Sequence, residues 1–265
     1  MSATASELFQ YLESIAPLHL QEDYDNSGLL IGSTEEEVKG LLISLDCTED
    51  VLEEALQLNC NVIISHHPAI FYGLKKITGS NMTERIVLKA IKEGLIIYAI
   101  HTNLDNVLKN GVNEKIAQQL GLKVEGVLRK SNPHDHTIGS GLIGSFSKAV
   151  SEGQFLELLK EKMKAKVIRH SRMLDRPIEK VAICGGSGSF LLEDACLNGA
   201  QAFLTGDYKY HGFFEADGRI MICDIGHYES EQFTMNLLQE LIVKKFTTFA
   251  AHCTKFNTNP IHYFT

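Results

Sequence analysis

The stretch LLISLDCTEDVLEEALQLNCNVIISHH (41–67) decides the fold of this chain. It opens with an apolar run, LLISLD (41–46), and continues through an amphipathic segment, EDVLEEALQLN (49–59). It then returns to a second apolar run, VIIS (62–65). Short apolar runs that alternate with amphipathic segments of about ten or more residues predict βαβ units and a mostly parallel sheet.

The same alternation extends along the chain on the carboxyl side of this stretch. TERIVLKAIKEG (83–94) predicts a helix, and LIIYAI (95–100) predicts the next strand. The glycine-rich residues 122–150 predict an irregular, hairpin-like connection. Beyond them the pattern resumes and ends in a helix through SEQFTMNLLQELIVKKF (230–246).

The second half of the chain echoes the first, which suggests two lobes. VAICGG, a helix and AFLTGD (181–207) parallel the elements of 41–67 strand for strand, although a generic βαβ unit produces the same echo. We therefore predict an α/β protein of two related three-layer lobes with mostly parallel sheets. The first lobe is predicted to span 1–128, completed by 226–265, and the second to span 129–225.

Composition restricts the classes of partner. The 265 residues include 25 Lys and Arg against 33 Asp and Glu, which gives a net charge of −8. This acidic balance argues against sequence-independent binding of nucleic acid or of anionic lipid. The apolar runs are far shorter than the ~20 residues that span a bilayer. The six cysteines form no CxxC motif, and the N-terminal segment has no basic cluster. We expect a soluble, cytoplasmic protein with no membrane partner and with nucleic acid unlikely as a ligand.

Three predicted strands end in histidines and carboxylates. His66 and His67 directly follow VIIS, and His101 follows LIIYAI with Asp105 four residues later. His227 follows RIMICDI (219–225), with Glu231 four residues later. Ligands of open α/β sheets bind outside the carboxyl ends of the strands, where neighbouring loops meet. Imidazoles and carboxylates at that edge predict a metal site at the strand ends between the lobes.

The spacing of these residues indicates two ions rather than one. Consecutive strand residues point to opposite sides, so His66 and His67 suit two cations about 3.5–4 Å apart better than a single shared ion. A carboxylate such as Glu231 can bridge two cations, and Asp105 can complete one coordination shell. Mixed imidazole and carboxylate ligation suits zinc, iron or manganese, so we expect two divalent ions per chain.

Two further clusters allow more than one interpretation. CGGSGS (184–189) lies between a strand and a helix, where its glycines serve either a tight turn or a phosphate cradle. It lacks both GxGxxG and the Walker lysine. In TGDYKYH (205–211), Asp207 and His211 reach either the crevice or a subunit contact.

In order, SHHP (65–68), HTNLD (101–105), CGGSG (184–188), TGD (205–207) and GHYESE (226–231) resemble the motifs of the Ngg-one-interacting factor three-like family. Its members are also named GTP cyclohydrolase I type 2 homologues. YDNSGLLIG (24–32) and NPIHYF (259–264) are similar to the terminal signatures of this family, although Tyr24 stands where many members have Trp.

The resemblance implies a dinuclear divalent-metal site on an α/β fold and a ring-like homohexamer. Carried over residue by residue, it implies metal ligands at His66, His67, Asp105, His227 and Glu231, with Glu231 bridging. Some members have a large domain inserted between the lobes. Only about fifty residues (125–175) join the halves here, which is similar to the short form of the family.

Two functions from different classes fit these features. In the first, the protein is a metal-dependent hydrolase of a nucleotide-like or other phosphorylated or heterocyclic small molecule, and His101 transfers a proton. In the second, it is a metal carrier or chaperone without turnover. Titratable groups beyond the ligands, including His101, Asp207 and His211, favour the hydrolase, because a carrier does not need them.

Overall fold

Eleven strands pair into two separate sheets within residues 3–264, the part of the chain that the computed structural model describes. The chain divides into two units, each with one sheet. The first unit runs to Leu104 and resumes over Thr234–Pro260. The second comprises Asp105–Phe233 and the residues that follow Pro260. Two α/β units are therefore present, as the alternation of strands and helices predicts.

The first unit contains five strands, four helices of nine or more residues and a short 3-10 turn. Its elements are α1 (Ala5–Ile15), the 3-10 turn Leu18–Leu20, β1 (Gly28–Ile31), β2 (Gly40–Ser44), α2 (Glu49–Gln57), β3 (Val62–Ser65), α3 (Met82–Glu93), β4 (Ile96–Ala99), α9 (Thr234–Lys245) and β11 (Ala250–Cys253). One further turn of helix, α4 (Thr102–Asp105), follows β4. The strand order is β1-β4-β3-β2-β11, and only the β1–β4 pair is antiparallel.

The three central strands of this sheet end in register. Ser44 of β2 pairs with Ser65 of β3, which pairs with Ala99 of β4. Every residue of these strands is buried, which explains why their sequences are nearly continuous apolar runs. The chain therefore leaves β2, β3 and β4 from one edge, and the residues that follow them are delivered to the same place.

Helices α2 and α3 cover part of this sheet and have clear start and stop signals. The side chain of Thr48 accepts a hydrogen bond from the backbone of Val51 at the start of α2. Asn81 does the same for Glu84 at the start of α3, and Gly94 ends that helix with a φ of 67°.

The second unit contains six strands and four helices. Its elements are α5 (Val112–Leu120), β5 (Lys123–Asn132), β6 (Asp135–Val150), α6 (Glu152–Lys162), β7 (Arg169–His170), β8 (Ile178–Ser187), the 3-10 turn Ser189–Leu191, α7 (Leu192–Leu197), β9 (Ala202–Gly206), the 3-10 segment Tyr210–Ala216, β10 (Met221–Asp224) and α8 (His227–Glu231). The strand order is β5-β6-β8-β9-β10-β7.

Pairing in the second sheet differs from the expectation of mostly parallel sheets. Only β8–β9 and β9–β10 are parallel, whereas the other three pairs are antiparallel. Two of these antiparallel pairs, β5–β6 and β6–β8, arise from the segment 122–150, which is not a connection outside the sheet. It forms a long hairpin whose strands β5 and β6 extend the sheet.

The unit boundaries also differ from the predicted lobes. The predicted boundary after residue 128 falls inside β5, because β5 belongs to the β5–β6 hairpin. The structure changes unit after Leu104 instead. Residues 226–233, assigned from sequence to the first lobe, belong to the second unit because α8 contacts β8 and β9.

No helix within residues 3–264 combines the length and apolarity that crossing a bilayer requires.

Candidate metal centre

His66 and His67 leave the carboxyl end of β3, and a specific hydrogen bond fixes each ring. Nδ1 of His66 lies 2.8 Å from the carbonyl oxygen of Ile100, and His66 is completely buried. Nδ1 of His67 lies 2.8 Å from a carboxylate oxygen of Asp46. Both oxygens can only accept, so Nδ1 is the protonated nitrogen in each ring. In the neutral ring this tautomer leaves Nε2 as the nitrogen with a lone pair, the form in which histidine binds metals.

His101 follows β4 and has the same arrangement. Its Nδ1 lies 2.7 Å from Asp25, whose other carboxylate oxygen accepts from the backbone and hydroxyl of Thr102. Burial alone raises the pKa of Asp25, but hydrogen bonds from His101 and Thr102 outweigh it and hold that pKa well below its usual range. Asp25 is therefore a charged acceptor that fixes the orientation of His101.

The three rings form one cluster within the first unit. The ring centroids of His66 and His67 are 5.0 Å apart, and each lies 5.3 Å from that of His101. The strand-end rule predicts this convergence, because β3 and β4 are parallel neighbours in register.

Asp25 and Asp46 hold the rings of His101 and His67, and the sequence analysis did not single them out. Asp46 is the last residue of LLISLD, so the rule applied to the histidines also points to it. Its second oxygen accepts from the hydroxyl of Thr258, 2.8 Å away. Asp25 lies in the family-like motif YDNSGLLIG (24–32), but the strand-end rule does not point to it, because it lies in a loop that meets His101 only in the folded chain.

In the second unit, His227 and Glu231 occupy the first and last residues of α8. His227 Nε2 lies 3.1 Å from Glu231, and His227 Nδ1 lies 2.8 Å from Asp207. Burial lowers the pKa of His227, but the charge of Glu231 and the hydrogen bond to Asp207 outweigh it and raise the pKa to about 11. Without a metal this ring therefore carries two protons, and a cation that binds at Nε2 must displace one of them.

The negative charges of Asp105 and Glu231 both affect the buried thiol of Cys184 in the second unit. Burial, followed by the charges of Asp105 and Glu231, raises the pKa of the Cys184 thiol. Cys184 therefore stays protonated and does not compete as a thiolate ligand. Two carboxylates near one buried thiol constitute a concentration of negative charge that a cation would stabilise.

The glycines of CGGSG and TGD seat α8 against the sheet. Gly186 has a φ of 63°, and a Cβ there would collide with the Oε1 atom of Glu231. A Cβ at Gly206 would lie 2.9 Å from the backbone of His227. The backbone N–H of Gly186 donates to the Ser230 hydroxyl at 2.9 Å. Of the two interpretations of CGGSGS, this packing supports the tight turn.

The two remaining candidates, Asp207 and His211, have different surroundings in the structure. Asp207 contacts His227 directly, as described above. His211 lies in the 3-10 segment Tyr210–Ala216, is exposed, and packs its ring against Tyr210 at a centroid distance of 5.1 Å.

Each unit by itself thus contains part of the predicted ligand set. The first contains two histidines whose tautomers suit metal binding, together with His101. The second contains Asp105, His227 and Glu231. Imidazole with carboxylate is ligand chemistry typical of zinc, iron and manganese.

A family model described as Duf34/NIF3 (NGG1p interacting factor 3) matches residues 3–260. A Clostridium acetobutylicum protein named GTP cyclohydrolase 1 type 2 homolog is 34% identical over 232 residues, which cover 87% of this chain and 86% of that protein.

Two solved structures resemble the chain over nearly its whole length. A Bacillus cereus protein related to NIF3 has a TM-score of 0.90 and 27% identity, with 100% of both chains covered. Reduced HcgD from Methanocaldococcus jannaschii has a TM-score of 0.79 and 25% identity, covering 97% of this chain and 99% of that one.

Proposed function

The chain belongs to the Duf34/NIF3 family, and from that premise we propose that it is a metal-dependent hydrolase of a nucleotide-like or phosphorylated small molecule. It binds two divalent ions, zinc, iron or manganese, through His66, His67, Asp105, His227 and Glu231. The family resemblance implies that Glu231 would be the ligand shared by the two ions.

The observation that carries this proposal is the fixed tautomer of His66 and His67. Each Nδ1–H donates to an oxygen, Ile100 carbonyl or Asp46 carboxylate, at 2.8 Å. A histidine that ligates a metal almost always donates its other ring N–H in this way, because the hydrogen bond fixes the ring and raises the basicity of the ligand nitrogen. Two consecutive histidines with this arrangement fit ligands better than ordinary buried histidines.

The donor set also supplies part of the negative charge that two divalent ions require. Two imidazoles, of His66 and His67, together with the Glu231 carboxylate are the donor types that zinc, iron and manganese take. Asp105 and Glu231 contribute two negative charges, and Asp207 supports His227 through its Nδ1 in the same way that Asp46 supports His67.

His101 is the residue we assign to proton transfer. When bound, two divalent ions supply Lewis acidity and lower the pKa of water, which makes a nucleophile available near neutral pH. His101 presents a ring whose Nδ1 is held by Asp25, so its Nε2 can accept a proton. Asp25 then stabilises the imidazolium that forms.

Elemental analysis of variants tests the ligand assignment. The purified protein should hold up to two divalent ions per chain. Glu231→Ala removes the bridging carboxylate and is expected to lose both ions, whereas His67→Ala is expected to lose chiefly one. His211→Ala, which removes an exposed histidine of the second unit, is the matched control and should retain both.

Full metal content in a variant that lacks His66, His67 and Glu231 together would contradict the site. Turnover is tested by screening nucleoside triphosphates and phosphate esters with the metal-loaded protein. His101→Ala should then lower the rate ~10²–10⁴-fold and leave the metal content unchanged. Metal binding without any turnover, with transfer of the ion to an acceptor, would support a carrier instead.

For assembly, we propose the ring-like homohexamer that membership of this family suggests. Light scattering should give the mass of six chains, and a monomer at micromolar concentration would contradict the ring.

A further inference from the structure

Exposed aromatic rings gather on the first unit around the loop that follows His67. Tyr72 is 79% exposed and Tyr24 is 64% exposed. Phe71 lies between them, with its ring centroid 5.0 Å from that of Tyr72 and 6.3 Å from that of Tyr24. Large aromatic side chains that are grouped in this way on a surface mark binding sites more often than isolated ones do.

These rings continue inward to the histidine cluster. The ring centroid of Phe71 lies 6.3 Å from that of His101. A cavity of about 380 Å³ lies beside this aromatic group, lined at one end by His67 and Asp46 and elsewhere by Phe71 and Tyr72. This volume is at the small end of the ~300–1,000 Å³ that ligand sites occupy, so it suits one ring system and its substituent.

The loop that carries Phe71 and Tyr72 is anchored at both ends. On one side, the amide of Asn26 donates to the carbonyl oxygen of Ile70 at 2.6 Å. On the other side, the Glu84 carboxylate accepts from the backbone and hydroxyl groups of Thr78 and Ser80 at 2.8 to 3.0 Å. The aromatic rings are thus positioned before a ligand arrives, which reduces the entropy lost on binding.

The charge of this loop indicates the sign of the ligand. Residues 68–83 contain Lys75 and Lys76, both exposed, whereas the carboxylates beside the loop, Asp46 and Glu84, accept hydrogen bonds from His67 and from the loop itself. A local positive charge on an acidic protein favours an anionic ligand.

We propose that Phe71 and Tyr72 form a stacking surface that binds a flat heteroaromatic ring bearing an anionic group, with a nucleotide as the matching chemical class. The stacked ring occupies the cavity beside His67, and Lys75 and Lys76 attract the anionic group. This assignment rests on the proposed function in so far as the bound molecule is the substrate.

The test compares ligands that share the phosphate but differ in the ring. Calorimetric titration of the metal-loaded protein with GMP, UMP and ribose 5-phosphate should give tighter binding for both nucleotides. Stacking of a base on an aromatic side chain is equivalent to about 5- to 150-fold in affinity. Tyr72→Leu should therefore weaken GMP and UMP by that factor and leave ribose 5-phosphate unchanged, whereas Tyr72→Phe should keep nucleotide affinity.

The matched control is Tyr210→Leu, because Tyr210 is a tyrosine of similar exposure, 72%, on the second unit. It should not change any affinity. Equal binding of ribose 5-phosphate and GMP by the parent protein, or unchanged GMP affinity in Tyr72→Leu, would overturn the stacking surface.

Failure of the stacking surface can be distinguished from failure of the proposed hydrolase by measuring the metal content. Metal content is measured in every sample. If the protein holds no metal and nucleotide affinity still depends on Tyr72, the stacking surface stands and the metal-dependent hydrolase fails. If the metals are present and Tyr72→Leu changes no affinity, the metal site stands and the stacking surface fails.

Discussion

His66 and His67 in the first unit and Glu231 in the second are held in place by different physical means. The histidines are held by hydrogen bonds, from Nδ1 to the Ile100 carbonyl and to Asp46. Glu231 pairs with His227 Nε2 at 3.1 Å and is also fixed by packing, because its carboxylate occupies the space that a Cβ of Gly186 would need.

The difference follows from the chemistry of the two ligand types. A neutral imidazole has two nitrogens and binds a cation only in the correct tautomer, so it needs a partner that fixes its proton. A carboxylate has no tautomer to select, but it is bulky and charged, so it needs space against the sheet. The first unit therefore provides acceptors for His66 and His67, and the second provides glycines beside Glu231.

Gly186→Ala is expected to have the largest effect, because it adds both backbone strain and a steric collision. The left-handed conformation costs about 1–2 kcal/mol for a residue with a Cβ, and the collision with Glu231 adds about 1–3 kcal/mol of overpacking. The free energy of unfolding should fall by about 2–5 kcal/mol, and the displaced Glu231 should release metal. Denaturant titration and elemental analysis measure the two effects.

Gly199→Ala separates the two contributions. Gly199 has a φ of 74°, but a Cβ there meets no atom within 4 Å. This variant should lose only about 1–2 kcal/mol and should keep its metals. If Gly186→Ala behaves like Gly199→Ala in both measurements, packing against Gly186 does not hold Glu231.

Asp46→Asn tests whether the hydrogen bond between His67 Nδ1 and Asp46 matters for metal binding. The amide can still accept from His67 Nδ1, but the negative charge that raises the basicity of the ring is lost. Such changes to the partner of a metal ligand typically cost about 10- to 100-fold in metal affinity. Competition with a chromogenic chelator measures the affinity.

Glu54→Gln is the control for Asp46→Asn within the same unit. Glu54 is buried whereas Asp46 is half-buried, and Glu54 accepts from the Thr254 hydroxyl and the backbone of Lys255 rather than from a histidine. The control should lose stability and keep metal affinity. An Asp46→Asn protein with parental metal affinity would mean that His67 does not need its carboxylate.

The sequence predicted the parts of the site that follow from strand order. His66, His67 and His101 converge because β3 and β4 are parallel, in register and buried along their whole length, and apolar runs report that burial directly. Asp46 follows the same rule at the end of β2. Asp25 does not, because a loop residue that meets His101 through tertiary structure has no periodic signal.

The second unit was harder to predict for a related reason. Its β5–β6 hairpin contains many polar and partly exposed residues, so it has no continuous apolar run to mark it as part of a sheet. The glycine contacts of Gly186 and Gly206 depend on the exact approach of α8, which sequence spacing does not encode.

Glu84→Gln should give the smallest effect, and it depends on pH. Backbone and side-chain hydrogen bonds from Ser80 and Thr78 lower the pKa of Glu84 to about 2, from an ordinary value of 4.5. Because the pKa is lowered in the folded protein, the stabilisation is fully present above pH 4.5 and is lost as the pH falls towards 2. The Glu84 carboxylate anchors the loop after His67, so this anchor depends on pH. The packing of glycines around Glu231 has no such pH dependence, because glycine has no titratable side chain.

The melting temperature of Glu84→Gln should therefore lie below that of the parent protein near pH 6, and the gap should narrow as the pH falls from about 4.5 towards 2. Glu93→Gln, at the other end of α3, is the control and should show no such convergence. Calorimetric scans of the three proteins at each pH measure the gap. A gap that stays constant over this range would mean that the charge of Glu84 does not hold the loop that follows His67.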